Sequence, residues 1–267
     1  MKKLNTLYSL LVLLLLISCG PSQRELAVNQ INRAKLKVEY GGDTLSAISY
    51  LDSTKVLFPK AEIQIRVASN LRNSWYQQMI DNRQLQLIKN DSTIAKLETK
   101  FTKEKTEFDT YTQYIHKRQS LNRTWDRSFL MVHLDERGEM YLSSNYMGKE
   151  WLYHTGIRVY NGKLQAKSEN VPLDDPMNHR SDFLDYKWEK VSYMNGKADS
   201  VIQFIAQHPN LNLKCVFLGK RYYYILLEDY DIEAVVDALA LSKAIKLRSK
   251  LEKEIAEFKN KLLIHQM

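Results

Sequence analysis

Hydrophobic positions change period along the chain, and the changes divide it into helical, β-rich and helical stretches. Leu26, Ile31, Ala34 and Val38 recur at three-to-five spacing and predict a short helix. Gly41-Gly42 ends it, with Asp43 or Thr44 as the next cap. Leu45, Ala47, Ile48, Leu51 and Leu57 predict a second helix that stops at Pro59. A third begins near Lys60 and runs to about Leu97, with Asn90-Asp91-Ser92 as the point where it can break. Its apolar seam is Leu71, Trp75, Met79, Leu85, Ile88, Ile94 and Leu97, and a seam of this kind needs a partner. The segment from Asp229 to Met267 offers one: Val236, Ala240, Ala244, Leu247, Leu251, Ile255, Phe258 and Leu262 step by four and three, with Lys and Glu between. That is a coiled-coil signature, and spacing leaves open whether the partner lies in the same chain or a second subunit.

The middle of the chain changes to a strand period. Phe129 to Leu134, a turn at Glu136-Arg137-Gly138-Glu139, and Met140 to Tyr146 read as a hairpin. Leu152 to Tyr160 and Lys163 to Ser168 read as another, turning through Asn161-Gly162. Glu169 to Asp185 reads as a loop. Trp188 to Met194 makes a further strand, Asn195-Gly196 turns the chain, and Asp199 to Gln207 is a short helix ended by His208-Pro209. Leu211 to Leu218 pairs with Arg221 to Leu227 through Gly219-Lys220. Six or seven mostly antiparallel strands with one helix between them predict an α+β fold. Its parts are a helical region at 19–98 with a hairpin and a long helix, a β-rich core domain at 99–228, and a long coiled-coil-like C-terminal helix at 229–267.

The first residues follow neither period. Lys2 and Lys3 precede an uninterrupted apolar run from Leu10 to Ile17, which Ser18 and Cys19 close. The run is shorter than the roughly twenty residues a membrane span needs and matches a secretory signal. Leu16-Ile17-Ser18-Cys19 resembles the lipobox of bacterial lipoproteins, in which the cysteine is thioether-linked to diacylglycerol and the peptide is cut before it. The resemblance implies a signal peptide at 1–18, lipidation at Cys19 and a membrane anchor built from more than one acyl chain. No acidic run follows Cys19, which favours a periplasm-facing protein of the cell envelope.

An exported chain reads its charge differently. The formal charge of +8 includes Lys2 and Lys3, so the part from Cys19 onward carries +6, scattered without a block of like charges. Such a surface implies no nucleic-acid partner. With Cys19 lipidated, Cys215 is the only other thiol and no intramolecular disulfide can form. It lies in the alternating segment from Leu211 to Leu218 and reads as a buried strand cysteine.

Two further resemblances appear. Ala47, Leu51 and Pro59 keep the offsets of the second half of a tetratricopeptide repeat, but one degenerate repeat cannot form a solenoid and reads as a helical hairpin. Gly138-Glu139-Met140-Tyr141-Leu142-Ser143-Ser144-Asn145-Tyr146-Met147-Gly148, His154-Thr155, Val171-Pro172-Leu173-Asp174-Asp175-Pro176 with His179-Arg180, and Val201-Ile202-Gln203-Phe204-Ile205-Ala206 resemble a family of uncharacterised lipoproteins of Bacteroidetes-type bacteria. That resemblance covers most of the chain and brings with it no established activity or cofactor.

Candidate chemistry is sparse. With nine glycines there is no Gly-x-Ser-x-Gly elbow, phosphate-binding glycine loop or Gly-x-Gly-x-x-Gly. The densest polar group is the 172–180 loop, where Asp174, Asp175 and His179 are candidates for a cation or an acid/base set and Arg180 for an anion. Turn chemistry explains the same residues, and no metal-ligand spacing is present. His154, read as mid-strand, joins the set if it faces His179. Tyr222 and Tyr224 share one face of their strand and offer a glycan or peptide platform. The reading is a lipid-anchored, non-enzymatic interaction or scaffolding protein without catalytic residues, metal or cofactor, whose helices meet a protein partner or a second copy. The alternative is an envelope glycan or small-ligand binding module that uses the 172–180 loop and the exposed tyrosines.

Overall fold

A computed structural model describes residues 21–107, 109–119 and 127–264. Cys19 and the signal segment lie outside the described residues. The fold is α+β, with long helices and two antiparallel sheets. The described residues form two compact units, one of those up to residue 84 together with residues 253–264, and one of those between residues 85 and 252.

In the helical unit, α1 (Gln23–Gly41) starts at a capping box: Glu25 N–H donates to Ser22 Oγ, and Ser22 N–H donates to Glu25 Oε2. Gly42, at φ 63°, ends it in the left-handed conformation that glycine adopts without penalty. Asp43 then caps α2 (Thr44–Leu57) by accepting from Ser46 N–H at 3.0 Å. Ile31, Ala34, Ala47, Leu51 and Ala68 make the unit's small core, the last from α3 (Glu62–Glu98). The third helix runs unbroken through Asn90-Asp91-Ser92, and its seam is displaced from the expected one. Leu85 and Ile88 are exposed, while Ala68, Arg72, Tyr76, Ile80, Asn90 and Ile94 are buried.

The partner of α3 is α5 (Asp229–Ile264) of the same chain. In the helical unit Tyr76 meets Phe258 with ring centroids 6.0 Å apart, and Arg83 pairs with Glu254. In the β unit Asn90 Nδ2 donates to the Ala244 carbonyl at 2.8 Å and Arg248 pairs with Asp91. The four-and-three spacing holds at Leu251, Ile255 and Phe258. Earlier in α5 the buried face is wider, including Ile232, Ala234, Val235, Ala238, Leu241 and Ile245, and Leu247 is exposed. A helix buried over so broad a face serves a sheet-packed core, so this half is not coiled coil.

Ten strands make the two sheets among the described residues. The first, in the order β1-β2-β3-β4-β8-β7, contains β1 (Phe101–Glu104), β2 (Gln113–His116), β3 (Phe129–Asp135), β4 (Met140–Gly148), β7 (Asn178–Phe183) and β8 (Tyr186–Tyr193). The second, in the order β10-β9-β5-β6, contains β5 (Gly156–Asn161), β6 (Leu164–Lys167), β9 (Lys214–Leu218) and β10 (Tyr222–Leu226). Residues of both sheets, of α4 (Asp199–Gln207) and of α5 share one core, with Leu142, Ile157, Val191, Ile202, Phe217 and Leu241 fully buried.

Three expectations for this unit are corrected. His179 and Arg180 lie in β7, inside the stretch read as a loop, because the polar segment Asn178–Phe183 pairs with β8 as an edge strand. Residues 152–155 precede β5, so His154 is not mid-strand. The β5–β6 turn falls one residue later than Asn161-Gly162: Asn161 pairs with Leu164, leaving Gly162-Lys163 as the loop with φ 57° at Gly162.

Candidate functional site

Glu189 enters the site from β8, where it stands opposite Tyr146 of β4 and is fully buried. A buried carboxylate needs donors, and residues 152–154 supply them. Tyr153 takes φ 51°, and three successive backbone N–H groups converge on Glu189: Leu152 at 2.6 Å, Tyr153 at 2.9 Å and His154 at 3.1 Å. His154 Nδ1–H adds a fourth bond at 2.6 Å. Burial alone would raise the Glu189 pKa, but the bonds from the His154 ring and from the Tyr153 and His154 amides outweigh it and hold the group below the ordinary carboxylate value.

Beyond His154 the network continues into the sheet. Ser144 Oγ lies 2.8 Å from His154 Nε2 and 3.0 Å from the Tyr193 hydroxyl. Because Glu189 can only accept, Nδ1 carries a hydrogen, and in the neutral ring Nε2 accepts from Ser144, which accepts from Tyr193. Burial pushes the Tyr193 phenol up, which keeps it a donor. The ring of His154 stacks on Phe217 with centroids 5.1 Å apart. Gly219 seals the group from the β9–β10 turn, where an added Cβ would stand 2.3 Å from the Leu152 carbonyl oxygen.

Serine, histidine and glutamate in this sequence of bonds share the connectivity of a nucleophile triad. Ser144, His154, Glu189 and Tyr193 are nevertheless all at 0% exposure, and the serine is held between two partners. A nucleophile has to meet its substrate, so the arrangement acts as a buried polar clamp that fastens 152–154 between the sheets.

The remaining sequence candidates do not assemble around His154. His179 is exposed on β7, edge-on to Trp188. Asp174 is exposed in the turn, and Asp175 accepts from Met177 N–H at 2.8 Å and faces Lys197 at 3.6 Å. Arg180 donates to the Leu173 carbonyl and to Asn178 Oδ1, while Asn178 Nδ2 donates to the carbonyls of His154 and Val171. The loop is thus tied to the His154 backbone through Asn178, while the imidazole turns the other way. Among the described residues no group of three or more His, Cys, Asp or Glu side chains comes together to hold a metal ion. Cys215 is buried in β9, and burial raises its thiol pKa, which makes it a poor nucleophile.

Accessible chemistry lies on the outer face of the second sheet. Ile157 and Val159 of β5 point into the core, so Arg158 and Tyr160 point out. Arg158 stands directly opposite Lys167 of β6. Beside them a cavity of about 350 Å³ opens, lined by Arg158, Lys167, Asn170, Tyr153, Gly219 and Tyr222 among others. Lys220 Nζ lies 4.5 Å from the Tyr153 ring centre and the Arg180 guanidinium 5.8 Å from it. Of these residues, the sequence reading singled out Arg180 and Tyr222. The alternation along β5 marks Arg158 as outward, but its opposition to Lys167 depends on where the hairpin turns.

A second depression, of about 480 Å³, lies in the helical unit between α2 and α3. Its innermost cation, Arg72, is already paired with Asp52 at 3.1 Å. Comparison of the chain with protein-family models, with curated proteins and with solved structures finds no match.

Proposed function

We propose that the protein is a lipid-anchored component of the bacterial cell envelope, held at Cys19, facing the periplasm, and working by binding rather than by catalysis. The observation that carries the anchor is the order Lys2-Lys3, apolar Leu10–Ile17 and Leu16-Ile17-Ser18-Cys19. The resemblance of the 138–148, 171–180 and 201–206 segments to Bacteroidetes-type lipoproteins points the same way. Burial of the Ser144–His154–Glu189 chain supports a role without chemistry, since the set with the connectivity of a catalytic site is enclosed.

Two observations bear on what is bound. The Leu251, Ile255 and Phe258 seam, a candidate for a protein partner, is buried within the chain, with Phe258 against Tyr76 of α3. The open sheet face with Tyr222 and Tyr224 exposed favours the small-ligand module. Membrane fractionation with protease shaving of intact cells tests the placement. The expected result is wild-type protein in the membrane fraction, resistant to shaving, and Cys19→Ala released from it. Equal partitioning of the two overturns the anchor; ready shaving overturns the periplasmic orientation.

A further inference from the structure

We propose that the cavity beside β5, β6 and the β9–β10 turn binds a small acidic saccharide, one or two sugar rings bearing a carboxylate or a phosphate. The first argument is charge. Arg158 and Lys167 are cross-strand neighbours, and like charges directly opposite each other destabilise a sheet. Proteins usually place an acid between such cations. Among the described residues none pairs with Arg158, Lys167 or Lys220, and Arg158 Nε is buried without a hydrogen-bond partner. The contrast with Arg72, equally at the wall of a depression but held by Asp52, shows the protein balancing such a charge elsewhere. An anion lying between Arg158 and Lys167 would pair with both cations at once.

Shape and lining narrow the anion. A volume of about 350 Å³ is at the small end for ligand sites, which excludes a polymer held along its length. Tyr153 and Tyr222 supply aromatic surface with polar ends, and Asn170 and Thr155 supply amide and hydroxyl partners. That mixture suits a ring that is apolar on its C–H face and hydroxylated at its edge, and it does not suit an alkyl anion. Tyr153 is held in its left-handed conformation by the Glu189 clamp, so the buried network fixes one wall of the site. The inference deepens the binding reading above and rests on it, while the charge, size and ring chemistry of the ligand are taken from the cavity's own lining.

The test is calorimetric titration of the mature protein in a polyoxyethylene detergent with glucuronate, glucose 6-phosphate, glucose and inorganic phosphate, at low and moderate salt. At least one acidic sugar should saturate the protein, more weakly as salt rises, and glucose should not bind. Glucuronate against glucose 6-phosphate tells a carboxylate from a phosphate ligand. Arg158→Met should weaken binding about tenfold or more, the loss expected for a charged hydrogen bond. Lys167→Glu, at an exposed edge position, should abolish binding and raise the melting temperature of the ligand-free protein, because the new carboxylate takes the anion's place beside Arg158.

Three results overturn the proposal: glucose binding as tightly as the acidic sugars, inorganic phosphate matching glucose 6-phosphate, or acidic-sugar affinity unchanged in Arg158→Met and Lys167→Glu. Absence of heat with every probe overturns it too. Lipid labelling at Cys19 is read separately, so a failed titration on a lipidated protein removes this site alone, and a successful one on an unlipidated protein removes only the location.

Discussion

Glu189 draws four donors to one buried carboxylate, and that makes it the residue whose loss should be felt most. Truncating one partner of a buried, hydrogen-bonded pair costs about 3–5 kcal/mol, so Glu189→Ala should lower the unfolding free energy of the β unit by about that amount and shift its urea midpoint down accordingly. Gly219→Ala should also destabilise, by about 2 kcal/mol or more, because its Cβ would stand 2.3 Å from the Leu152 carbonyl oxygen and within 2.9 Å of the His154 backbone N and Cα, which have no side-chain freedom to move aside. Acid should act on the same region in two steps. His133 is pushed down to about 3 by burial and by Lys190, against 6.5 when free, so its contribution is complete above pH 6.5 and lost as pH falls from there towards 3. The Glu189 pKa is also depressed, so its contribution is complete above the free value of 4.5 and is lost as pH falls through the lower folded value. Melting temperature should therefore begin to fall between pH 6.5 and 5, where ordinary carboxylates stay ionised, and His133→Asn should flatten that part of the curve. An unchanged slope in the variant would contradict the assignment.

At the scale of elements, the helices α1, α2 and α4 were legible because of their apolar period and of ends written locally in Gly42, Asp43 and His208-Pro209, although the Ser22–Glu25 box that starts α1 went unread. The seam of α3 was not. Leu85 and Ile88 fit the helical period as well as their neighbours do, and only the position of α5 decides which row is buried. The site was the least legible part, for a reason that one turn illustrates. A loop at Asn161-Gly162 would set Gln165 opposite Arg158, whereas the observed loop at Gly162-Lys163 sets Lys167 there. A one-residue displacement thus decides whether the pair of cations exists. The clamp was hidden too, since Ser144, His154 and Glu189 come from separate elements and nothing in their spacing brings them together. Because α5 buries its Phe258 against α3 of the same chain, Phe258→Ala should cost about 3–5 kcal/mol and leave the sedimentation coefficient of the remaining folded protein unchanged. A stable variant with altered association would instead place that seam between molecules.

For the whole molecule, what matters is where it is held. No helix among the described residues is long and apolar enough to cross a membrane; the attachment proposed above is through a lipidated Cys19 and its acyl chains. Under that proposal, the +6 beyond Cys19 and the basic sheet face would meet an envelope rich in anionic polymers. The most direct measurement is metabolic labelling with a palmitate analogue in cells expressing wild type or Cys19→Ala. Label on the wild type and none on the variant is the predicted result. Wild-type protein without label, or label that persists in Cys19→Ala, would contradict the account.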